Sequence, residues 1–364
     1  MTTPATRERL APSTFRLPVE RIRAGYYTDA YFNFTKQLLE ETGHRPTVTM
    51  QVFQKEDSLL GGIDEAIAVL KEGAGCQTAD GWSPGWGQLE VRALYEGDEI
   101  APMEPVLQID GDYALFAHLE TVYLGSLARR SLVMRNVRAV VDAAAGKQIL
   151  FMPARHDHWL VQTGDGWAAH VSGAIGVSTD ANASWWGGRG IGTVPHALIA
   201  AYAGDTVAAA SAYADRFGEL MNVTVLVDFD NDSVTTALAV ADALGDKLWG
   251  VRLDTSERLV DRSLWNDMGD FKPTGVNEVL VRKVRAALDA AGHERVRIVA
   301  SGGFDAARIR EFEANGVPVD SYGVGSSLIR GSNDFTADVV RVDGRDCAKV
   351  GRHFRANPRL ELVA

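Results

Sequence analysis

Cysteine is scarce in this chain: 364 residues hold two, Cys76 and Cys347. Two thiols cannot build a disulfide framework and fall short of a four-cysteine zinc site, so both are expected as reduced, partly buried side chains. Long apolar runs are missing as well. No stretch approaches the ~20 residues that span a bilayer. The opening MTTPATRERLAPSTFRLP lacks an apolar signal core, and it reads as a short disordered arm on a cytoplasmic protein. An excess of positive charge is also absent. The formal net charge is −11, which argues against a broad nucleic-acid-binding surface but leaves room for a locally positive pocket. Neither a fixed-period repeat nor a low-complexity linker occurs.

What is present is an ordinary globular balance, 46% hydrophobic and 23% charged, in a chain long enough for one large or two medium domains. The texture changes near residues 118 and 335. Before the first change, a helix is expected over Tyr27 to Glu41, closed by Thr42-Gly43, and another over Ile63 to Lys71, with Gly73 as its C-cap. Strands are expected at Thr47 to Gln54, Gln88 to Leu94 and Pro105 to Ile109. Residues 113 to 146 read as two helices in series. The aromatic cluster Tyr26, Tyr27, Tyr31 and Phe32 reads mainly as core packing.

Strands and helices then alternate. Strand expectations are Gln148–Pro153, Gly192–Pro195, Val223–Asp228, Leu248–Leu253, Arg297–Ala300 and Ser321–Val324. The helices between them are Trp167–Thr179, Thr206–Phe217, Ser233–Leu244, Asn277–Ala291 and Ala306–Asn315. Continuously apolar runs such as VTVLVDF suit strands buried on both faces. Such alternation implies a parallel sheet with helical crossovers, either barrel or open doubly wound. A closing hairpin, Asp338–Val342 with Cys347–Gly351 around Asp343-Gly344, does not continue that series and should pack back on the first domain.

In α/β barrels the chemistry sits at the ends of strands. GVRLDTSE puts Arg252 and Asp254 two residues apart, on one face of their strand. That pair suits a ligand with an anionic group and hydroxyls, or else an internal salt bridge. VDFDND puts Asp228 and Asp230 on one face, with Asp232 the better N-cap for the next helix. Ser301-Gly302-Gly303 and Gly323-Val324-Gly325-Ser326 are small-residue loops on successive strands. Their backbone N–H groups can approach a phosphate, with a helix start assisting at the first loop. Arg155 suits a carboxylate or phosphate. His156 and His158 are zinc ligands by type, but no third ligand is suitably spaced. His196 reads equally well as a structural residue at a helix start. Lys247 and Lys272 do not fall at inward strand positions, which argues against a Schiff-base aldolase. A non-catalytic phosphate-binding barrel is the remaining rival.

Taken in order, YYTDAYF, ARH after a strand, GTVPH, VDFD, VRLDTSE, ASGGFD, YGVGSS and the terminal DVVRVDGRDCAKVG resemble the nicotinate phosphoribosyltransferases, over roughly residues 20 to 355. The resemblance implies an α/β fold. An incomplete (β/α) barrel, residues 119–334, is joined to an α+β sandwich domain formed by residues 1–118 and completed by 335–364. It implies a homodimer with shared active sites. It further implies that nicotinate and 5-phosphoribosyl 1-pyrophosphate give nicotinate mononucleotide and pyrophosphate in NAD biosynthesis, with Mg2+ and with ATP as co-substrate.

By the same resemblance, His196, Asp254 and Arg252 are catalytic, and His196 is the histidine that relatives phosphorylate from ATP. Asp29, Tyr31, Arg155, Arg252, Thr193 and Asp228 contact substrate, Tyr31 from the neighbouring subunit. Ser301, Gly302, Gly303, Gly323, Gly325 and Ser326 hold phosphate, and no residue is assigned as a metal ligand. The motifs depart from the family where VDFD replaces VDTYD, where His156 replaces an arginine, and where Ala197 replaces a polar residue after the histidine. Quinolinate and nicotinamide are the alternative pyridines.

Overall fold

A computed structural model describes residues 7–267 and 269–364. The chain divides into two compact units, Met1–Arg135 with Gly331–Ala364, and Asn136–Arg330. The texture change at 118 precedes the helix Glu120–Ala143, whereas the units divide inside that helix. Residues 113–143 form two short 3-10 turns and this one helix, not two helices in series. Nothing between 120 and 143 breaks it, because proline is absent there.

The first unit carries a six-stranded antiparallel sheet. Its order is Arg345–Asp346, Thr336–Val342, Thr47–Phe53, Leu107–Asp112, Glu90–Ala93, Glu361–Leu362. Buried and half-buried residues alternate along Leu107–Asp112, so one face meets the core. That core joins Val48, Met50 and Val52 to Ile63, Ile67 and Leu70 of the helix Ile63–Gly73. Gly73 lies within this helix, and Ala74 is its C-cap. The terminal hairpin packs on the first domain as expected, by pairing Thr336–Val342 with Thr47–Phe53. Asp343 and Gly344 both have positive φ, as a two-residue hairpin turn requires. The return strand, however, is Arg345–Asp346 rather than Cys347–Gly351, and Cys347 is exposed.

Two expectations about this unit are overturned. The N-terminal arm is held from Arg7 onward, while its first six residues lie outside the described residues. Arg9 donates to Asp64 Oδ1 at 2.9 Å and to the Leu94 carbonyl at 2.9 Å, and its guanidinium lies 4.0 Å above the Tyr95 ring. The charge pattern RER, not apolarity, supplies these anchors. The helix Ala30–Thr42 buries no residue, and Tyr26, Tyr27, Tyr31 and Phe34 are exposed. Aromatic content on a helix therefore did not mean core.

The second unit carries six parallel strands in the order Val223–Leu226, Leu248–Leu253, Arg297–Ala300, Ser321–Val324, Gln148–Phe151, Gly176–Val177. In chain order this is a circular permutation, third to sixth and then first and second. The last strand thus pairs with the first, which decides for a curled barrel over an open doubly wound sheet. Helices Thr206–Phe217, Ser233–Leu244, Glu278–Ala290 and Ala306–Ala314 make crossovers. The expected strand Gly192–Pro195 is one isolated bridge, Val194 to Val225. The segment nonetheless spans the gap in the sheet: Ile191 N–H reaches Val177 O at 2.8 Å, and Val194 N–H reaches Thr224 O at 2.9 Å. The helix expected over Trp167–Thr179 ends at Val171, because Gly173 turns the chain at positive φ into the strand Gly176–Val177. Among the described residues no helix is long and apolar enough to cross a membrane.

Candidate active site

The strands of the barrel end around a cavity of about 970 Å3. Leu248–Leu253 alternates its side chains, so Arg252 and Asp254 both reach this cavity. Their charged ends meet at 3.3 Å, and both are mostly buried. A buried ion pair needs further hydrogen bonds to offset its desolvation, and this one has them. Arg252 Nε donates to Ser301 Oγ at 2.8 Å, and Nη1 donates to Thr193 Oγ1 at 3.3 Å. Ser301 Oγ in turn lies 2.7 Å from Asp254 Oδ1. Two strand ends and the gap-spanning segment are thereby knitted into one polar floor.

His196 opens the helix His196–Ala201 after Pro195. Its Nε2 lies 3.0 Å from Asp228 Oδ1. The carboxylate is 7% exposed and the imidazole 42%, so a buried acid holds a half-open ring. The hydrogen bond to Asp228, with the ring donating, raises the His196 pKa above the ordinary histidine value, against the opposing effect of partial burial. Asp232 caps the following helix through Thr235 N–H, as expected.

Arg155 and His156 leave the strand Gln148–Phe151 in a short turn, and both line the cavity. Burial first, then the charges of Arg155 and Arg330, push the His156 pKa down. His158 does not line the cavity; it accepts the Leu160 N–H and stacks on Trp159. Among the described residues no group of three or more His, Cys, Asp or Glu is placed to hold a metal ion.

Both glycine turns line the cavity. Gly302 and Gly303 take positive φ, 87° and 76°. Their backbone N–H groups, and those of Phe304 and Ser326, have no partner among the described residues, which is the feature a phosphate needs. Two details differ from the sequence reading. The helix Ala306–Ala314 is capped by its own Asp305, which accepts the Arg308 N–H at 2.9 Å. A ligand is therefore left the turn itself rather than the helix start. At Gly325 a Cβ would lie 2.8 Å from His156 Cε1, so this glycine makes room for a side chain of the protein. Gly323 does the same for Met152, whose sulfur would be 2.9 Å away.

Sequence reasoning missed two supports. Arg308 Nη1 donates to the Gly302 carbonyl at 3.0 Å, and Nη2 donates to Val276. Ser327 Oγ donates to the Phe304 carbonyl at 2.8 Å, joining the two turns. The Val276 and Phe304 contacts join residues 32 and 23 apart, so spacing carried no signal for them. Asp29 and Tyr31 belong to the first unit and are not among the cavity residues. Tyr31 is 60% exposed.

A curled six-stranded barrel with an Arg–Asp floor and two glycine turns defines an incomplete-barrel protein of the phosphoribosyltransferase class. Residues 29–131 match the model of the quinolinate phosphoribosyl transferase N-terminal domain. A nicotinate-nucleotide pyrophosphorylase from Pyrococcus furiosus superposes with a TM-score of 0.75 at 32% identity, covering 94% of this chain and 84% of that one. A nicotinate phosphoribosyltransferase of Mycobacterium tuberculosis is 33% identical over 266 residues, 70% of this chain and 54% of that protein. Human nicotinic acid phosphoribosyltransferase shares the fold, with a TM-score of 0.66 at 20% identity over 88% of this chain and 75% of that one. The chain belongs to the type II phosphoribosyltransferase family, with nicotinate phosphoribosyltransferases among its relatives. It spans about half the length of the curated relatives it matches.

Proposed function

We propose that this chain joins nicotinate to 5-phosphoribosyl 1-pyrophosphate, giving nicotinate mononucleotide and pyrophosphate. The pyridine nitrogen attacks the ribose C1′, the C1′–N bond forms, and the C1′–O bond breaks. The electron pair departs with pyrophosphate. No general base is needed, since the ring nitrogen carries no proton. The protein's part is to hold the two reactants in line and to offset charge on the leaving group.

The observation that carries this reading is the floor Arg252–Asp254–Ser301–Thr193 set beside two turns with unpartnered N–H groups. In it, Gly302, Gly303, Phe304 and Ser326 hold the 5′-phosphate through the backbone, since the Ser301 N–H is taken by the Leu253 carbonyl at 2.9 Å, and Asp254 takes ribose hydroxyls. Charge bookkeeping favours a mono-acid pyridine. Arg252 is offset by Asp254, and His156 is kept neutral near pH 7 by burial and its arginine neighbours. Arg155, which lines the cavity, is offered to one carboxylate, while Arg330 donates to Ser326 Oγ at 3.0 Å and so belongs to the phosphate turn. Quinolinate, with two carboxylates, calls for a second free cation.

Magnesium enters this reading with the diphosphate of the sugar substrate, because among the described residues no group of three or more His, Cys, Asp or Glu is placed to hold it; no step is assigned to it. ATP is a co-substrate in the proposal. With Nε2–H donating to Asp228, the His196 Nδ1 is the nucleophilic atom. The working form is a cytoplasmic homodimer in which Tyr31 of one subunit stacks on the pyridine of the other.

The test is a panel of nicotinate, nicotinamide and quinolinate assayed with the phosphoribosyl donor and Mg2+, with and without ATP. Nicotinate should exceed nicotinamide by at least about tenfold in kcat/KM, the scale of one charge-assisted contact. Equal use of the two pyridines would sink the reading.

A further inference from the structure

An aspartate at the N-cap of a helix ordinarily accepts an N–H from the first turn. Asp29 is the N-cap of the helix Ala30–Thr42 and makes no such bond. Its carboxylate instead accepts the Thr121 hydroxyl at 3.0 Å, and its own N–H donates back to Thr121 Oγ1 at 3.0 Å. One residue earlier, Thr28 Oγ1 donates to the His118 carbonyl. Three hydrogen bonds thus tie the two residues before the helix to the turn that opens Glu120–Ala143. A second anchor lies further along, where Lys36 Nζ donates to the carbonyls of Gly75 and Ala114, each at 2.7 Å.

Apolar packing does not do this job, since the helix buries no residue. Tyr31 lies two residues beyond Asp29, in the first turn, with its ring 4.3 Å from that of Phe32 and mostly exposed. A ring on such a helix is held in place only as well as the helix start is held. Losing the attachment leaves a contact to be ordered at the moment of binding, which weakens affinity without altering the reacting atoms.

We propose that Thr121 is a positioning residue for Tyr31, acting through Asp29, and that this clamp sets how tightly the pyridine is held. The proposal rests on the reading above that Tyr31 meets the pyridine. It gives Asp29 a supporting role in place of a substrate contact.

The experiment measures KM for nicotinate, KM for the phosphoribosyl donor and kcat on the full chain. Thr121→Val should raise the nicotinate KM about fivefold, the scale of one lost hydrogen bond. The other two constants should stay within about twofold. Thr121→Ser, which restores the hydroxyl, should return KM to the wild-type value. In a Tyr31→Ala background, Thr121→Val should add nothing further. Asp29→Ala, which removes the acceptor for Thr121, should resemble Thr121→Val, and Asp29→Asn, which keeps one, should raise the nicotinate KM less than Asp29→Ala does. If Tyr31→Ala raises the nicotinate KM but Thr121→Val does not, the clamp has no such role and the proposal falls. If Asp29→Asn loses kcat, the carboxylate charge acts on substrate directly, and the proposal falls as well. If Tyr31→Ala itself changes nothing, the failure belongs to the reading of Tyr31. Should Thr121→Val fail to fold, the pair Asp29→Asn and Asp29→Ala carries the same decision.

Discussion

His118 is 1% exposed, and neither ring nitrogen has a hydrogen-bond partner. Burial, with the Lys36 charge adding to it, pushes its pKa down to about 3, opposed only weakly by the nearby Gly73 backbone. The sign of the consequence follows from linkage. A base whose folded pKa lies below its unfolded value makes the unfolded chain bind more protons, so stability falls as pH falls from about 6.5 toward 3. Each pH unit in that window costs about 1.4 kcal/mol, and lowering the pH from 7 to 5 costs about 2 kcal/mol from this residue alone. His118→Leu removes the titration at similar volume. Urea unfolding of both proteins at pH 7 and pH 5 reads the effect. The variant should lose about 2 kcal/mol less than the wild type between the two values. Packing changes and the other titrating groups cancel in that difference. Equal losses would refute the claim that His118 is held neutral.

Other expectations concern the site. Gly303→Val should weaken binding of the phosphoribosyl donor by at least about tenfold in a calorimetric titration, with a strain cost of about 1–2 kcal/mol from its positive φ; unchanged affinity would mean that the turn holds no phosphate. Gly325→Ala should act by displacing His156, so Gly325→Ala with His156→Ala should recover part of any loss. ATP should stimulate turnover, and His196→Ala should abolish the stimulation while a slower ATP-independent reaction persists; an ATP-to-product ratio near zero in the wild type removes the coupling role. Mixing inactive Tyr31→Ala and Arg252→Ala subunits should restore activity through mixed dimers containing one intact site. No recovery, with subunit exchange shown separately, argues against a shared site.

Local signals determined much by themselves. The strands Leu248–Leu253, Arg297–Ala300 and Ser321–Val324 have the expected bounds, because buried parallel strands are apolar runs that end at polar or glycine residues. The pairing of Arg252 with Asp254 was legible from a spacing of two, since a strand repeats every second residue. The terminal hairpin was legible from Asp343-Gly344, which takes the turn that few other pairs tolerate. Tertiary structure alone decided what distant partners do. Asp228 is the acid on His196 rather than a cap, because a strand end and a helix start 32 residues apart converge. Gly325 serves His156, and Arg308, which holds the turn at Gly302, is itself tied to Val276, 32 residues away. The aromatic residues before and within the helix Ala30–Thr42 face outward because the helix is fixed by Thr121 and Lys36, not by a core. Periodicity records which residues share a face. Whether that face meets a core, a ligand or another chain depends on contacts that no local spacing encodes.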